Sequence, residues 1–288
     1  MHKCRALLYA DVSVELADEL LEKWGGVPRF VLENALVSEQ QKKLESAIIS
    51  VDLDAVVKCI GNPEGSDQVV HRLVHIHVAD DFKSKVYCFA SNFVAEQIYS
   101  QLFLTKRQQL IQFIAVSEGV GETGVLRGTL FERHAHDIIA GGGTFGCRQL
   151  FEKTTKVTAL NADNKQITIP HLNTLLFADE QQVQASSGMY YRPHVNNYES
   201  VDSFIKPNLL FQMTSAKKHP CKQVGLNHVL ELLGNPSNPT LYFVVPKDRF
   251  KEFKFQSYED ANGNTMKTPS YTNVKKIKQY VLEIDLTS

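Results

Sequence analysis

Apolar positions in the first 116 residues recur mostly at helical spacing, whereas beyond residue 140 they fall in short, strand-like runs. Val14, Leu16, Leu20 and Leu21 line one side of a helix that stops at Trp24-Gly25-Gly26. Pro28 opens a second element, Arg29 to Leu36. Ser38 with Gln41 has the form of a capping box ahead of a helix over Lys42 to Ser50. Asp52 to Cys59 reads as another short helix, ended by Gly61-Asn62-Pro63-Glu64-Gly65. His71 to Val78 and Lys85 to Ala90 read as the two strands of a ribbon, with helices following over Ser91 to Leu104 and Arg107 to Val116. Three glycines in the eight residues Ser117 to Gly124 mark the domain boundary.

Past that boundary, Leu126, Leu130, Phe131, Ala135, Ile138 and Ile139 give one helix a buried side, and Gly141-Gly142-Gly143 ends it. Strands are predicted over Thr144–Phe151, Lys156–Leu160, Gln166–Ile169, Thr174–Ala178, Met189–Arg192, Ser200–Ile205 and Leu209–Ser215, with a turn at Asn161-Ala162-Asp163-Asn164. A helix over Val224 to Leu233 leads to a strand over Thr240 to Val245, and Val274 to Ile284 is expected to supply an edge strand. The class is therefore α+β: a mainly helical region over residues 1–116, then a mixed β-sheet domain with flanking helices over residues 117–288.

Composition narrows this further. Apolar content of 43 % and charged content of 22 % are ordinary for a globular chain. No stretch approaches the ~20 apolar residues of a membrane helix, and the apolar run after Met1 is too short for a secretory signal. Five cysteines, odd in number, far apart and without a CxxC pair, read as reduced thiols and argue against a disulfide frame or a zinc site. Net charge is −1, but unevenly spread. From Lys206 onward there are 12 Lys and Arg against 7 Asp and Glu, an excess of +5 against −6 before it, which would suit a polyanionic partner.

The candidate chemistry lies in the second region. Glu132 and His136 are four residues apart, on one face of their helix. Asp202 precedes Gln212 by ten residues with Lys206-Pro207-Asn208 between them, a spacing that fits a hairpin. Metal-dependent phosphodiester hydrolysis needs oxygen ligands converging on Mg²⁺ or Mn²⁺ and a positive group near the phosphate. One solution is a helix Glu, an Asp at a strand start, then Glu or Gln with Lys two residues on, on the same strand face. Glu132, Asp202 and Gln212 fill the first three places. Thr214 stands where the lysine belongs, and Lys217 and Lys218 follow, either reaching back into the site or forming a solvated basic edge that touches phosphate without doing chemistry. Each of these residues also reads as an ordinary polar group at a strand end. His136 either orients Glu132, contacts phosphate or is satisfied by a backbone carbonyl. His75 and His77 share a strand face but have no third ligand nearby in the sequence, which favours a structural role. Tyr190-Tyr191-Arg192-Pro193-His194 reads either as a base-stacking tract or as an edge strand with snorkelling rings. There is no GxSxG, HExxH or GxxxxGK[ST], and Gly119-Val120-Gly121-Glu122-Thr123-Gly124 lacks the lysine and preceding strand of a phosphate loop.

Taken in order, the pieces Trp24-Gly25-Gly26-Val27-Pro28-Arg29-Phe30-Val31-Leu32, His71-Arg72-Leu73-Val74-His75, Phe89-Ala90-Ser91, Gly128-Thr129-Leu130-Phe131-Glu132 with His136, Gly142-Gly143-Thr144-Phe145, Val201-Asp202-Ser203-Phe204, Phe211-Gln212-Met213-Thr214 and Leu241-Tyr242-Phe243-Val244-Val245-Pro246 resemble the C-terminal effector region of Crinkler proteins and the related retrotransposon hot spot proteins. The resemblance runs from about residue 24 to 258. It implies that residues 1–116 are similar to the C-terminal lid of an AAA-type or STAND-type ATPase, with Arg29 facing a nucleotide. Without the phosphate-loop half, no ATP hydrolysis is expected. It implies that residues 117–288 are similar to restriction-endonuclease-like nucleases of the PD-(D/E)xK type, with Glu132, Asp202 and Gln212 on the metal and Lys217 or Lys218 at the transition state. It further implies a secreted effector acting in the host nucleus. With the site residues above, the substrate expected is DNA rather than RNA, a host nuclear protein is a further candidate partner, no membrane association is expected, and the first region is a candidate piece for homodimerisation or partner docking. The chain departs from the pattern in lacking a translocation header and in carrying Gln212-Met213-Thr214 in place of acid-x-Lys. That departure keeps open a degenerate nuclease fold that binds nucleic acid or a host protein.

Overall fold

The computed structural model describes residues 1–61, 68–78, 82–83, 85–116, 123–152, 165–194, 198, 200–266 and 268–286. They form two compact units, Met1–Arg133 and His134–Ser288. The expected strand over Lys156–Leu160, the turn after it and most of the glycine-rich stretch fall outside the described residues.

The first unit is mainly helical. Its elements are α1 (His2–Leu8), α2 (Val14–Trp24), a π-helical turn (Arg29–Glu33), α3 (Ser38–Ile49), α4 (Leu53–Gly61), α5 (Gln68–Leu73), β1 (Val74–Val78), β2 (Lys85–Phe89), α6 (Asn92–Thr105), α7 (Arg107–Val116) and the first part of α8 (Gly124–Gly141). The ribbon is present, but His71 to Leu73 belong to α5, so its first strand begins at Val74. Ser13 and Ser91 cap α2 and α6 through their hydroxyls. The Trp24-Gly25-Gly26 motif closes α2 against the rest of the unit. Gly25 sits at φ +64°, and a Cβ there would stand 2.1 Å from the Ala90 carbonyl oxygen, so only glycine fits.

Trp24 stacks on Phe30 at 3.8 Å and donates its indole N–H to Gln41 Oε1 at 2.6 Å. The Gln41 amide donates onward to the carbonyls of Phe30 and Asn34 at 2.9 and 2.8 Å. The expected capping box is thus absent: Ser38 is already helical, Val37 is the cap residue, and Gln41 is spent on clamping the π-helical turn to α2. Gln41→Ala leaves one buried indole N–H and two carbonyls without their side-chain partner, and is expected to cost about 2–3 kcal/mol. A fall in the urea midpoint at constant slope would register it; an unchanged midpoint would show the clamp to be dispensable.

The second unit is built on an eight-stranded mixed sheet. In chain order it comprises β3 (Gly143–Gln149), β4 (Lys165–Ile169), β5 (Thr174–Phe177), α9 (Glu180–Ala185), β6 (Tyr190–Pro193), β7 (Ser203–Ile205), β8 (Leu209–Met213), β9 (Cys221–Lys222), α10 (Gln223–Leu232), β10 (Thr240–Pro246), α11 (Lys247–Phe250), β11 (Tyr258–Glu259), β12 (Thr265–Met266), α12 (Thr272–Lys275) and β13 (Lys278–Ile284). The sheet runs β4-β3-β13-β10-β8-β7-β6-β5, with β8, β10 and β13 mutually parallel, and β12-β11-β9 form a small separate sheet. The class is α+β, as the sequence pattern predicts. The expected edge strand is corrected: β13 lies between β3 and β10, and Val274 belongs to α12. The consecutive buried residues Val281 and Leu282 explain this, because a strand covered on both faces carries apolar side chains without alternation.

Strand alternation divides the second unit's core. Leu210, Leu241, Phe243, Val245 and Val281 face one way and pack with Leu226, Val229 and Leu230 of α10. The other face carries a row of rings, Tyr190, Phe211, Tyr242 and Tyr280, with neighbouring centroids 5.4–6.3 Å apart. At the turn from α8 into β3, Gly142 has φ +77°, and a Cβ would meet the His171 backbone nitrogen at 2.5 Å.

Candidate active site

The β7–β8 hairpin pairs Ser203 with Phe211, Phe204 with Leu210 and Ile205 with Leu209, turning at Lys206-Pro207-Asn208 as the spacing predicts. Lys206 is spent on structure, donating to the carbonyls of Val183 and Ser186. Asp202 stands immediately before β7. Its backbone N–H donates to Phe211 O at 2.9 Å, and its Oδ2 accepts the Met213 N–H at 2.6 Å. The carboxylate therefore lies against the last residues of β8. One of those residues is Gln212, only 4 % exposed, whose Oε1 is buried without a hydrogen-bond partner among the described residues. Buried acceptors are nearly always satisfied, so an orphaned one is a feature to be explained.

Thr214 follows, on the strand face that Gln212 shares with Leu210. Its N–H donates to Val244 O of β10 at 2.9 Å. Its Oγ1 accepts from Ala216 N–H at 3.0 Å and lies 3.2 Å from His219 Nδ1. The structure thus brings Asp202, Gln212 and Thr214 to one end of the sheet. Lys217 is on the surface, 4.0 Å from Glu252, and Lys218 is exposed. Glu132 is half-buried on α8, in the first unit. His136, in the second, has its Nδ1 2.6 Å from the Tyr190 hydroxyl, which is 2.6 Å from Ser203 Oγ, all three buried. That burial corrects the stacking tract. Tyr190 and Tyr191 are core residues of an interior strand, unavailable to bases. Among the described residues no three His, Cys, Asp or Glu side chains gather to hold a metal, the His75–His77 pair included. Thiol chemistry finds no support in the core, since burial, with Glu259 adding to it, pushes Cys221 up to about 12.

His219 escaped the sequence reading. It meets Thr214 across a loop, a contact with no periodic signature, and its backbone N–H is fixed by Gln256 Oε1 at 2.6 Å. Burial lowers its imidazole pKa, and burial followed by the His77 charge does the same to His75. The unfolded chain takes up these protons near pH 6.5, the folded chain only at lower pH. Stability is therefore insensitive to these groups above about pH 7 and falls as pH drops through about 6.5 towards the folded values. Thermal melts at pH 7 and 5.5 should show this fall, and His219→Gln should reduce it; identical drops in parent and variant would refute the His219 contribution.

The chemistry available is that of hard oxygen ligands: a carboxylate and an unpartnered amide carbonyl, adjacent on one hairpin. No protein-family model matches the chain, and no solved structure matches it. Two curated relatives do: Crinkler effector proteins 15 and 16 of Phytophthora infestans, each 29 % identical over 262 residues, 90 % of this chain. The chain is similar to these two Crinkler effectors over most of its length. It spans 39 % of the length of the Crinkler relatives it matches, and the similarity takes in both units. Among the described residues, no helix is long and apolar enough to cross a membrane.

Proposed function

We propose that the second unit is a metal-dependent phosphodiesterase acting on DNA, carried by an effector that is delivered into host cells and works in the nucleus. The observation that carries the chemistry is the buried, unpartnered Oε1 of Gln212 beside the Asp202 carboxylate. Mg²⁺ takes oxygen ligands, commonly one or two carboxylates completed by waters and substrate phosphate oxygens, and this pair fits that demand. The Asp202 carboxylate and Gln212 Oε1 are the groups that would hold the ion; Glu132 is a candidate by motif order alone and belongs to the first unit. When bound, the ion acidifies a water and neutralises charge on the phosphate. The hairpin's part is to hold both oxygens fixed, since Oδ2 is anchored to the Met213 N–H and Gln212 is packed in the core. Delivery rests on the effector names of the relatives.

The test is plasmid nicking by the purified chain with Mg²⁺, with Mn²⁺ and with EDTA. Cleavage confined to the metal lanes supports the reading. No cleavage with either metal defeats it. A second reading, a nuclease-like module that binds without cutting, is favoured by a separate observation: the Thr214 hydroxyl is engaged by Ala216 and His219, and Lys217 stands at the surface beside Glu252. DNA retarded but uncut in the same gel is its expected result.

A further inference from the structure

The basic excess of the C-terminal part is confined to one place. Residues 217–222 and 247–254 carry 7 Lys and Arg against 2 acids, while the rest of the span from Lys206 to Ser288 holds 5 against 5. The whole +5 therefore comes from two short segments. Topology puts them side by side: one follows β8 and the other follows β10, at the carboxyl ends of adjacent parallel strands. They are tied together. Arg249 Nε donates to Ser215 O at 3.0 Å, His219 N–H donates to Gln256 Oε1 at 2.6 Å, and Lys217 reaches Glu252 at 4.0 Å. Arg148 fixes the second segment from beneath, donating through Nη2 to the carbonyls of Phe250, Lys251 and Phe253 at 2.7, 3.2 and 2.6 Å.

The charges on this frame are available. Lys247 is paired with Asp285 at 3.0 Å. Lys218, Lys222, Lys251 and Lys254 are exposed and have no ion-pair partner among the described residues. Like charges clustered on neighbouring segments raise the local potential and attract a polyanion. Asp202 and Gln212 lie at this same end of β8.

We infer that the paired loops 217–222 and 247–254 form a phosphate-binding surface that holds a nucleic-acid backbone across the end of the β8–β10–β13 sheet, without reading base sequence. The surface carries point charges on flexible stems, which suit phosphate contact and positioning. Its link to hydrolysis rests on the phosphodiesterase reading; its binding role does not.

The experiment measures the affinity of the full chain for a labelled duplex DNA over a range of salt concentrations, in EDTA so that no cleavage intervenes. The triple variant Lys218→Ala, Lys251→Ala, Lys254→Ala is compared with Lys275→Ala, Lys276→Ala, Lys278→Ala. The second set removes equal charge from α12 and the start of β13, the opposite end of the parallel strands. Each lost phosphate contact lowers the slope of log affinity against log salt by about 0.9. The loop variant should therefore lose about 2–3 from the slope, and the control should keep the parent's. Equal losses in both variants, or none in the loop variant, overturn the surface. Displacement of the duplex by polyglutamate at lower charge concentration than by unlabelled DNA also overturns it, in favour of an acidic protein. An Asp202→Asn chain that binds like the parent but does not cut separates the two questions, since it tests the hairpin alone.

Discussion

Asp202→Asn is expected to abolish metal-dependent cleavage while leaving the fold intact, and Asp202→Ala to abolish it at a further cost in stability. The two variants differ at the contact with Met213. Oδ2 of Asp202 accepts the Met213 N–H at 2.6 Å, and an asparagine carbonyl can accept that bond where alanine cannot. Alanine therefore leaves a backbone donor at the end of β8 without its side-chain acceptor, a loss of about 1–3 kcal/mol. Neither variant supplies the negative charge a hard cation requires, and losing charge stabilisation worth several kcal/mol lowers cleavage by at least about 10²-fold. Cleavage rates at equal Mg²⁺, set beside urea midpoints for all three chains, check both parts. If the asparagine variant cuts as fast as the parent, Asp202 does not hold the ion and the site lies elsewhere.

The hairpin carrying this residue was legible in the sequence, because a turn of Lys206-Pro207-Asn208 between two apolar runs leaves few alternatives. The long helix α8, the strand β10 and the crossover helix α10 were legible for the same reason: each is a long run of one periodicity with glycine or proline at its end. Errors came where tertiary contacts outvote local signals. Gln41 looked like half of a capping box and is instead recruited by Trp24, a partner 17 residues away. The strand ending at Ile284 was expected at an edge, but its neighbours are set by parallel pairing to β10, which no local pattern encodes. α9 went unread; it is six residues long, and its Asp179–Gln182 capping box is its only strong signal.

The site was half legible. The sequence order picked out Asp202 and Gln212, and the structure seats them on one hairpin. What it could not convey is burial. Tyr190 and Tyr191 beside Arg192 have the composition of a stacking surface, yet both rings are fully covered, and one is engaged by His136. Nor could it place the lysines. Spacing left two readings of Lys217, one reaching back to the position vacated at Thr214 and one on a solvated basic edge, and the chain carries it outward to the surface beside Glu252. Loop direction depends on contacts such as Arg249 with Ser215, formed only once two separate strands lie together.

Gln212→Met provides the sharpest separation between a functional oxygen and a structural blemish. Methionine matches glutamine in length, is close to it in volume and is likewise unbranched at Cβ and Cγ, so the core position stays filled. Burying an acceptor with no partner costs about 1–3 kcal/mol, and in EDTA the variant should therefore be more stable than the parent, by about 1–2 kcal/mol. Metal reverses the comparison. A ligand that binds only the folded chain stabilises it by mass action, so Mg²⁺ should raise the urea midpoint of the parent and leave that of the variant in place. Cleavage should fall by at least about 10²-fold, as it does when Asp202 is neutralised. Higher stability together with lost activity is what a residue held against the packing rules for the sake of a ligand predicts. A variant that is less stable than the parent in EDTA would show that Oε1 carries no penalty, and Mg²⁺ raising both midpoints equally would remove Gln212 from the metal's ligands. Because the two failures differ, one pair of unfolding curves decides whether this core position is kept for the fold or for the ion.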